Sequence, residues 1–121
     1  MILTMKIYLS LGTNLGNRKD NIEKALCCLE KSLGSAPCSI SSMIETESWG
    51  FEGPDFLNCV VCFDWKRSLG PRRLLKICKV IEHKMGRKEV LEYDEAGRRI
   101  YHSRVIDIDI LFYGTKRIDS L

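Results

Sequence analysis

The segment Arg104-Val-Ile-Asp107-Ile-Asp109-Ile-Leu-Phe112 sets two carboxylates two residues apart within a run of large apolar side chains. On an extended strand Ile106, Ile108, Ile110 and Phe112 share one face, while Asp107 and Asp109 share the other, roughly 6.6 Å apart along the backbone. Asp is disfavoured in strands and two carboxylates on one face repel, so the pattern asks for a compensating cation. Magnesium suits this donor set, because it takes one or two carboxylates and completes its coordination with water and substrate phosphates. A half-exposed strand with a charged outer face would account for the alternation alone, but not for its surroundings. Arg104 directly precedes the strand, and Arg87, Lys88, Arg98 and Arg99 crowd the stretch before it. Metal-binding carboxylates beside several arginines are the equipment of phosphoryl transfer, whose transition state is stabilised mainly by positioned positive charge.

No Gly-x-x-x-x-Gly-Lys-Ser/Thr segment is present, which excludes a P-loop as the phosphate cradle. Gly12-Thr-Asn-Leu-Gly16 can lend backbone amides at a helix start, although in isolation those residues read first as a plain turn. A second group of interest is Thr46, Trp49, Phe56 and Asn58. Phe56 and Asn58 fall on one strand face, offering a stacking surface and an amide that both donates and accepts, which together can read a flat heterocycle. An aromatic near an Asn is also common in ordinary sheets. The six cysteines (27, 28, 38, 59, 62 and 78) include the pair Cys59-Val-Val-Cys62. Residues three apart on a strand point to opposite faces and do not converge easily on one metal, so these thiols are read as structural, in a reducing compartment.

The elements that position these residues follow from periodicity. Lys6–Leu11 reads as a strand running into the turn Gly12–Gly16. Ile22, Ala25, Leu26, Leu29 and Leu33 form one apolar helical stripe, with Asn17 as N-cap and Gly34 as the stop. Residues 38–49 alternate as a strand, 50–54 break it, and Phe56–Trp65 is a second, more apolar strand antiparallel to it. Gly70-Pro71 opens another helix whose stripe is Leu74, Ile77, Cys78, Ile81 and Met85, ending at Gly86. Residues 87–103 lack apolar periodicity and read as a long flexible loop. Val105–Tyr113 is the last clear strand, Gly114 turns the chain, and Ile118–Leu121 has no evident partner. The order is βαββαβ, an α+β fold of ferredoxin-like plan with both helices on one face of an antiparallel sheet. The opposite face stays open for a ligand.

At 121 residues the chain is one domain by length. A composition of 45% hydrophobic and 29% charged residues excludes disorder, collagen and coiled coil. No apolar run reaches the roughly 18–20 residues of a membrane helix, and no cleavable leader is visible, so a cytoplasmic protein without membrane association is expected. The net charge of +3 is unevenly distributed. Residues 1–65 hold 5 Lys+Arg against 8 Asp+Glu, residues 66–104 hold 12 against 5, and residues 105–121 hold 2 against 3. The basic stretch is consistent with an anionic partner, or with a solvated helix face and a charged loop.

Five segments in order resemble the hydroxymethyl-dihydropterin pyrophosphokinase family: Leu11-Gly-Thr-Asn-Leu-Gly-Asn-Arg18, Glu45-Thr-Glu-Ser-Trp-Gly-Phe51, Pro54-Asp-Phe-Leu-Asn58, Ile81-Glu-His-Lys-Met-Gly-Arg87 and Arg104-Val-Ile-Asp-Ile-Asp-Ile-Leu111. They span nearly the whole chain. The resemblance implies transfer of pyrophosphate from ATP, the co-substrate, to the hydroxymethyl oxygen of the pterin, with release of AMP and with two Mg2+ ions. It implies Asp107 and Asp109 as metal ligands, Thr46 and Asn58 on the pterin edge, Phe56 stacked on its ring, and the Trp49 backbone beside it. Arg87 and Arg104 would serve catalysis and the phosphates from a mobile loop, and Glu82 and Ile110 would fall near the nucleotide. It also implies fusion or association with other folate enzymes.

The chain departs from the pattern in two places. Tyr101-His-Ser-Arg104 stands where the family usually has Trp-Gly-Pro-Arg, and the loop before it is longer than in compact members, so the choice between Arg98 and Arg99 for the remaining phosphate contact is open. Members normally continue into a Leu-Pro-His-Pro segment, an Arg and a second aromatic that complete the ATP and pterin sites. On this reading residues 1–121 are a single pyrophosphokinase-like domain truncated at its C-terminus, which folds but binds nucleotide poorly. The competing reading, a ferredoxin-like nucleic-acid-binding module using the basic 66–104 region, is disfavoured by two carboxylates on the open face and the lack of an aromatic-rich RNA-binding motif, so no nucleic-acid partner is expected.

Overall fold

The computed structural model describes residues 3–47, 54–86, 92–93, 95–100 and 105–117. Its elements follow in the order β1 (Thr4–Thr13), α1 (Arg18–Leu33), β2 (Ser39–Ile40), β3 (Ile44–Thr46), β4 (Phe56–Lys66), a single 3-10 turn (Arg67–Leu69), α2 (Pro71–Lys84), β5 (Glu92–Tyr93), β6 (Arg99–Ile100), β7 (Asp107–Tyr113) and β8 (Lys116–Arg117). Strict alternation along β1 sets the architecture: Ile7, Leu9 and Leu11 are fully buried, whereas Lys6 and Tyr8 face outward. β1 is antiparallel to β4 along one edge and to β7 along the other. β2 and β3 both pair with the far edge of β4, and β8 pairs with Phe112 and Tyr113 of β7. The main sheet therefore runs β2/β3–β4–β1–β7–β8, the expected α+β, ferredoxin-like arrangement.

One face of that sheet is covered. Ile7, Leu9 and Leu11, then Cys59, Val61, Phe63 and Trp65, then Ile106, Ile108 and Ile110 form a single core with Ile22, Ala25 and Leu29 of α1 and Leu74, Cys78 and Ile81 of α2. Each such large apolar side chain stabilises the fold by about 1.5–3 kcal/mol relative to full exposure. Both helical stripes thus bury the side that their spacing predicts. Asn17 caps α1, its Oδ1 accepting the Asp20 N–H at 3.1 Å, and Gly34, at φ 72°, ends the helix in the left-handed conformation.

The structure departs from the periodicity reading in four places. Phe112 does not share the face of Ile106, Ile108 and Ile110: a register shift between Ile110 and Phe112 turns it outward, 42% exposed and edge-on to Tyr8. The strand expected over 38–49 is two short strands, because Ser41 interrupts the ladder: its N–H donates to the Val60 carbonyl at 2.9 Å while its hydroxyl accepts the Val60 N–H at 2.8 Å. β1 continues through Gly12 to Thr13 rather than stopping at Leu11. Within the segment expected to be a flexible loop, β5 and β6 pair as a small antiparallel hairpin with Gly97 at φ 80° between them.

Cys59 lies in the core and Cys62 on the other face, as their spacing requires, and no disulfide joins any of the six thiols. Cys59, Cys62 and Cys78 are buried, and burial pushes all three thiols up, Cys78 to about 12. Cys27 and Cys38 are exposed. Ellman's reagent at pH 8 is expected to react quickly with Cys27 and Cys38 and to reach the three buried thiols only after denaturation. Rapid labelling of Cys78 in the native protein would contradict this packing.

Candidate functional site

The pairing register gathers distant parts of the chain on the open face. Gly12 stands opposite Asn58 on β4 and opposite Asp107 on β7, and Ser10 stands opposite Val60 and Asp109. On the outer side of β4, Ile44 is opposite Asn58 and Thr46 opposite Phe56. Directly opposed residues share a sheet face. Thr46, Phe56 and Asn58 therefore form one cluster, Asp107 and Asp109 another, and β1 runs between them. Two strand spacings, roughly 9–10 Å, separate the clusters.

Within the first cluster Asn58 Nδ2 donates to Thr46 Oγ1 at 2.7 Å, and Asn58 Oδ1 lies over Gly12. A Cβ on residue 12 would stand 2.8 Å from that oxygen and 3.6 Å from Phe56 Cδ1. Gly12 has an ordinary strand φ, so its role is close approach rather than a special backbone angle. The amide is thus oriented with its oxygen toward the centre of the face, and the Thr46 hydroxyl, already accepting, keeps a proton to donate.

Behind the face, buried polar residues fix the frame. Among the described residues Thr13, Asn14 and Glu82 are the buried polar or charged ones, and all three lie at this end of the sheet. Asn14 Nδ2 donates to the Pro54 carbonyl at 3.1 Å, and Asn21 Nδ2 donates to Thr13 Oγ1 at 3.1 Å and to the Leu15 carbonyl at 2.6 Å. Arg18 donates to the Asp55 carbonyl at 3.0 Å and pairs with Glu45. Together these contacts tie the end of β1 and the start of α1 to the chain entering β3 and β4. On the other side, Glu82 Oε2 accepts the Ile108 N–H at 2.8 Å, between the two aspartates.

Of the residues expected to act, Thr46, Phe56, Asn58, Asp107 and Asp109 share the open face. Ile110 is 3% exposed, so its side chain belongs to the core and only its backbone can serve a ligand. Glu82 is 1% exposed and faces β7 rather than solvent. Trp49, Arg87 and Arg104 lie outside the described residues. Local reading missed the close-approach role of Gly12 and the tie made by Asn14. The signal for Glu82 was present: it falls four residues after Cys78 and eight after Leu74, on the buried stripe of α2.

At the other end of the sheet, Met5, Lys6, Tyr8, Arg67, Tyr113 and Lys116 help line an open groove. Lys6 Nζ is engaged there with Asp64 at 2.7 Å and with Cys38 Sγ at 3.3 Å. That pair raises the Lys6 ammonium and lowers the Asp64 carboxyl.

The sequence profile of the family described as 7,8-dihydro-6-hydroxymethylpterin-pyrophosphokinase matches residues 8–120. The chain belongs to this family. It is 41% identical over 108 residues to a 2-amino-4-hydroxy-6-hydroxymethyldihydropteridine pyrophosphokinase of Porphyromonas gingivalis, covering 88% of this chain and 68% of that one. The same enzyme name is carried by an Aquifex aeolicus protein, 41% identical over 108 residues, covering 88% of this chain and 60% of that one. A mitochondrial folate synthesis bifunctional protein of Arabidopsis thaliana is 37% identical over 116 residues, covering 95% of this chain and 19% of that one. The pyrophosphokinase profile thus takes in β1 from Tyr8 onward, both clusters and the helix that carries Glu82. No described helix is long and apolar enough to cross a membrane.

Gly12→Ala is expected to displace the Asn58 side chain and break its bond to Thr46, seen as a shift of the Asn58 side-chain amide signals by NMR, with the melting temperature nearly unchanged. An unperturbed Asn58 amide in that variant would refute the close-approach role.

Proposed function

We propose that this protein transfers pyrophosphate from ATP to the hydroxymethyl oxygen of 6-hydroxymethyl-7,8-dihydropterin, releasing AMP, in folate biosynthesis. The observation that carries the reading is the placement of a heterocycle-reading cluster and a carboxylate pair on one open face, on either side of a glycine. Pterins present a flat ring with donors and acceptors along one edge. Asn58 Oδ1 accepts from that edge, the Thr46 hydroxyl donates to it, and Phe56 stacks on the ring. Gly12 leaves the space between the clusters without a side chain, so the hydroxymethyl group can extend across β1 toward β7.

The carboxylate pair fits magnesium. Among the described residues no group of three or more His, Cys, Asp or Glu could hold a metal, so a site at Asp107 and Asp109 relies on phosphate oxygens and water, as magnesium sites commonly do. Asp107 and Asp109 would hold two Mg2+ ions, which when bound neutralise and orient the triphosphate. The substrate oxygen attacks the β-phosphorus, the bond from that phosphorus to the α,β-bridging oxygen breaks, AMP leaves carrying that oxygen, and the hydroxymethyl proton passes to solvent water. Positioning of the acceptor by Asn58, Thr46 and Phe56 makes this step effectively intramolecular. The Trp49 backbone is assigned to the pterin, Arg87 and Arg104 to the phosphates, and the Ile110 backbone to the nucleotide. Kinship with a bifunctional folate synthesis protein supports fusion or association with other folate enzymes.

Asp107→Asn and Asp109→Asn are each expected to lower magnesium-dependent AMP release about 10²–10³-fold, the range for losing one electrostatic contact to a transition state. The circular dichroism spectrum and the melting temperature should not change. Retained turnover in either folded variant would overturn the metal assignment.

A further inference from the structure

The outer edge of β7 poses a hydrogen-bonding problem beside the two aspartates. β1 pairs with the inner edge, and β8 reaches only Phe112 and Tyr113 on the outer one. The Ile108 N–H points to that outer edge, and a backbone donor at a 3% exposed residue is costly to leave unmatched. Glu82 answers it from α2, 26 residues earlier, with Oε2 at 2.8 Å. Its own burial, 1% exposed, is offset by this charge-assisted bond and by Lys79, whose Nζ lies 3.7 Å from Oε1.

We propose that Glu82 is a positioning residue: through the Ile108 N–H it fixes the rotation and height of the Asp107-Ile108-Asp109 backbone, and so sets the direction of both metal-binding carboxylates. The inference rests on the assignment of Asp107 and Asp109 to magnesium. Because Asp107 and Asp109 flank the bonded amide, a shift at Ile108 moves both at once. Glu82 acts on the nucleotide side of the reaction without touching nucleotide.

Glu82→Met keeps the side chain's bulk and removes the acceptor, whereas Glu82→Gln keeps an acceptor and removes the charge. In metal-free protein, amide hydrogen exchange at Ile108, with Val61 on β4 as the internal reference, reads the bond itself. Mn2+ affinity in the presence of a non-hydrolysable ATP analogue, measured by water-proton relaxation, reads the carboxylates. The Met variant should exchange Ile108 at least tenfold faster while Val61 stays protected, and bind Mn2+ about tenfold more weakly. The Gln variant should restore most of both. Unchanged Ile108 exchange in the Met variant, or faster exchange with unchanged Mn2+ affinity, overturns the positioning role. A Gln variant as defective as the Met variant also overturns it, because the effect would then be one of charge. Failure of the unsubstituted protein to bind Mn2+ even at saturating ATP analogue overturns the metal assignment and the inference with it, and is told apart because Ile108 exchange would still respond to the substitution.

Discussion

A strand bonded along both edges fixes what stands on either side of it, and β1 is that strand. Its pairing sets Gly12 opposite Asn58 and Asp107 at once, and Ser10 opposite Val60 and Asp109. The side-chain period of a strand is two, so a slip of one residue would carry Asp107 and Asp109 into the core and turn Ile108 outward. Burying an unpaired carboxylate costs far more than any single core contact contributes, so the register has no near competitor. The geometry of the open face thus follows from the apolar pattern of the covered one.

The polar residues buried behind this end of the sheet extend the same logic. A buried amide, hydroxyl or carboxylate is tolerated only when it is hydrogen-bonded, and each such bond also constrains two segments relative to one another. Asn14 ties the end of β1 to Pro54 at the entrance of β4, and Glu82 ties α2 to the middle of β7. The first constraint supports the side proposed to read the pterin, and the second supports the side proposed to hold the phosphates. The rest of the core, uniformly apolar, supplies cohesion.

Much of this organisation was legible in the sequence. Alternation around Asp107 and Asp109 and the two helical stripes identified the elements and their faces, because both periodicities are local properties of the chain. The order βαββαβ then left few topologies. What was not legible is non-local. That Gly12 stands between Asn58 and Asp107 depends on pairing across 46 and 95 residues, and read in isolation the same glycine is a turn. Glu82 could be placed on the buried stripe by spacing, but its partner, a backbone amide on a distant strand, has no sequence signature. The break in the strand expected over 38–49 depends on a serine hydroxyl replacing a backbone acceptor, a choice that composition does not reveal.

In the proposed reaction, acceptor and phosphate donor meet across β1 at Gly12, with the metal on the β7 side. Paramagnetic broadening of backbone amides by Mn2+ bound with a non-hydrolysable ATP analogue measures this directly. The strongest broadening is expected at Ser10, Gly12 and Asp107–Asp109, with the Asn58 side-chain amide less affected and still free to shift when hydroxymethyl-dihydropterin is added. Broadening centred instead on Lys6, Tyr8 and Arg67, at the opposite end of the sheet, would contradict it.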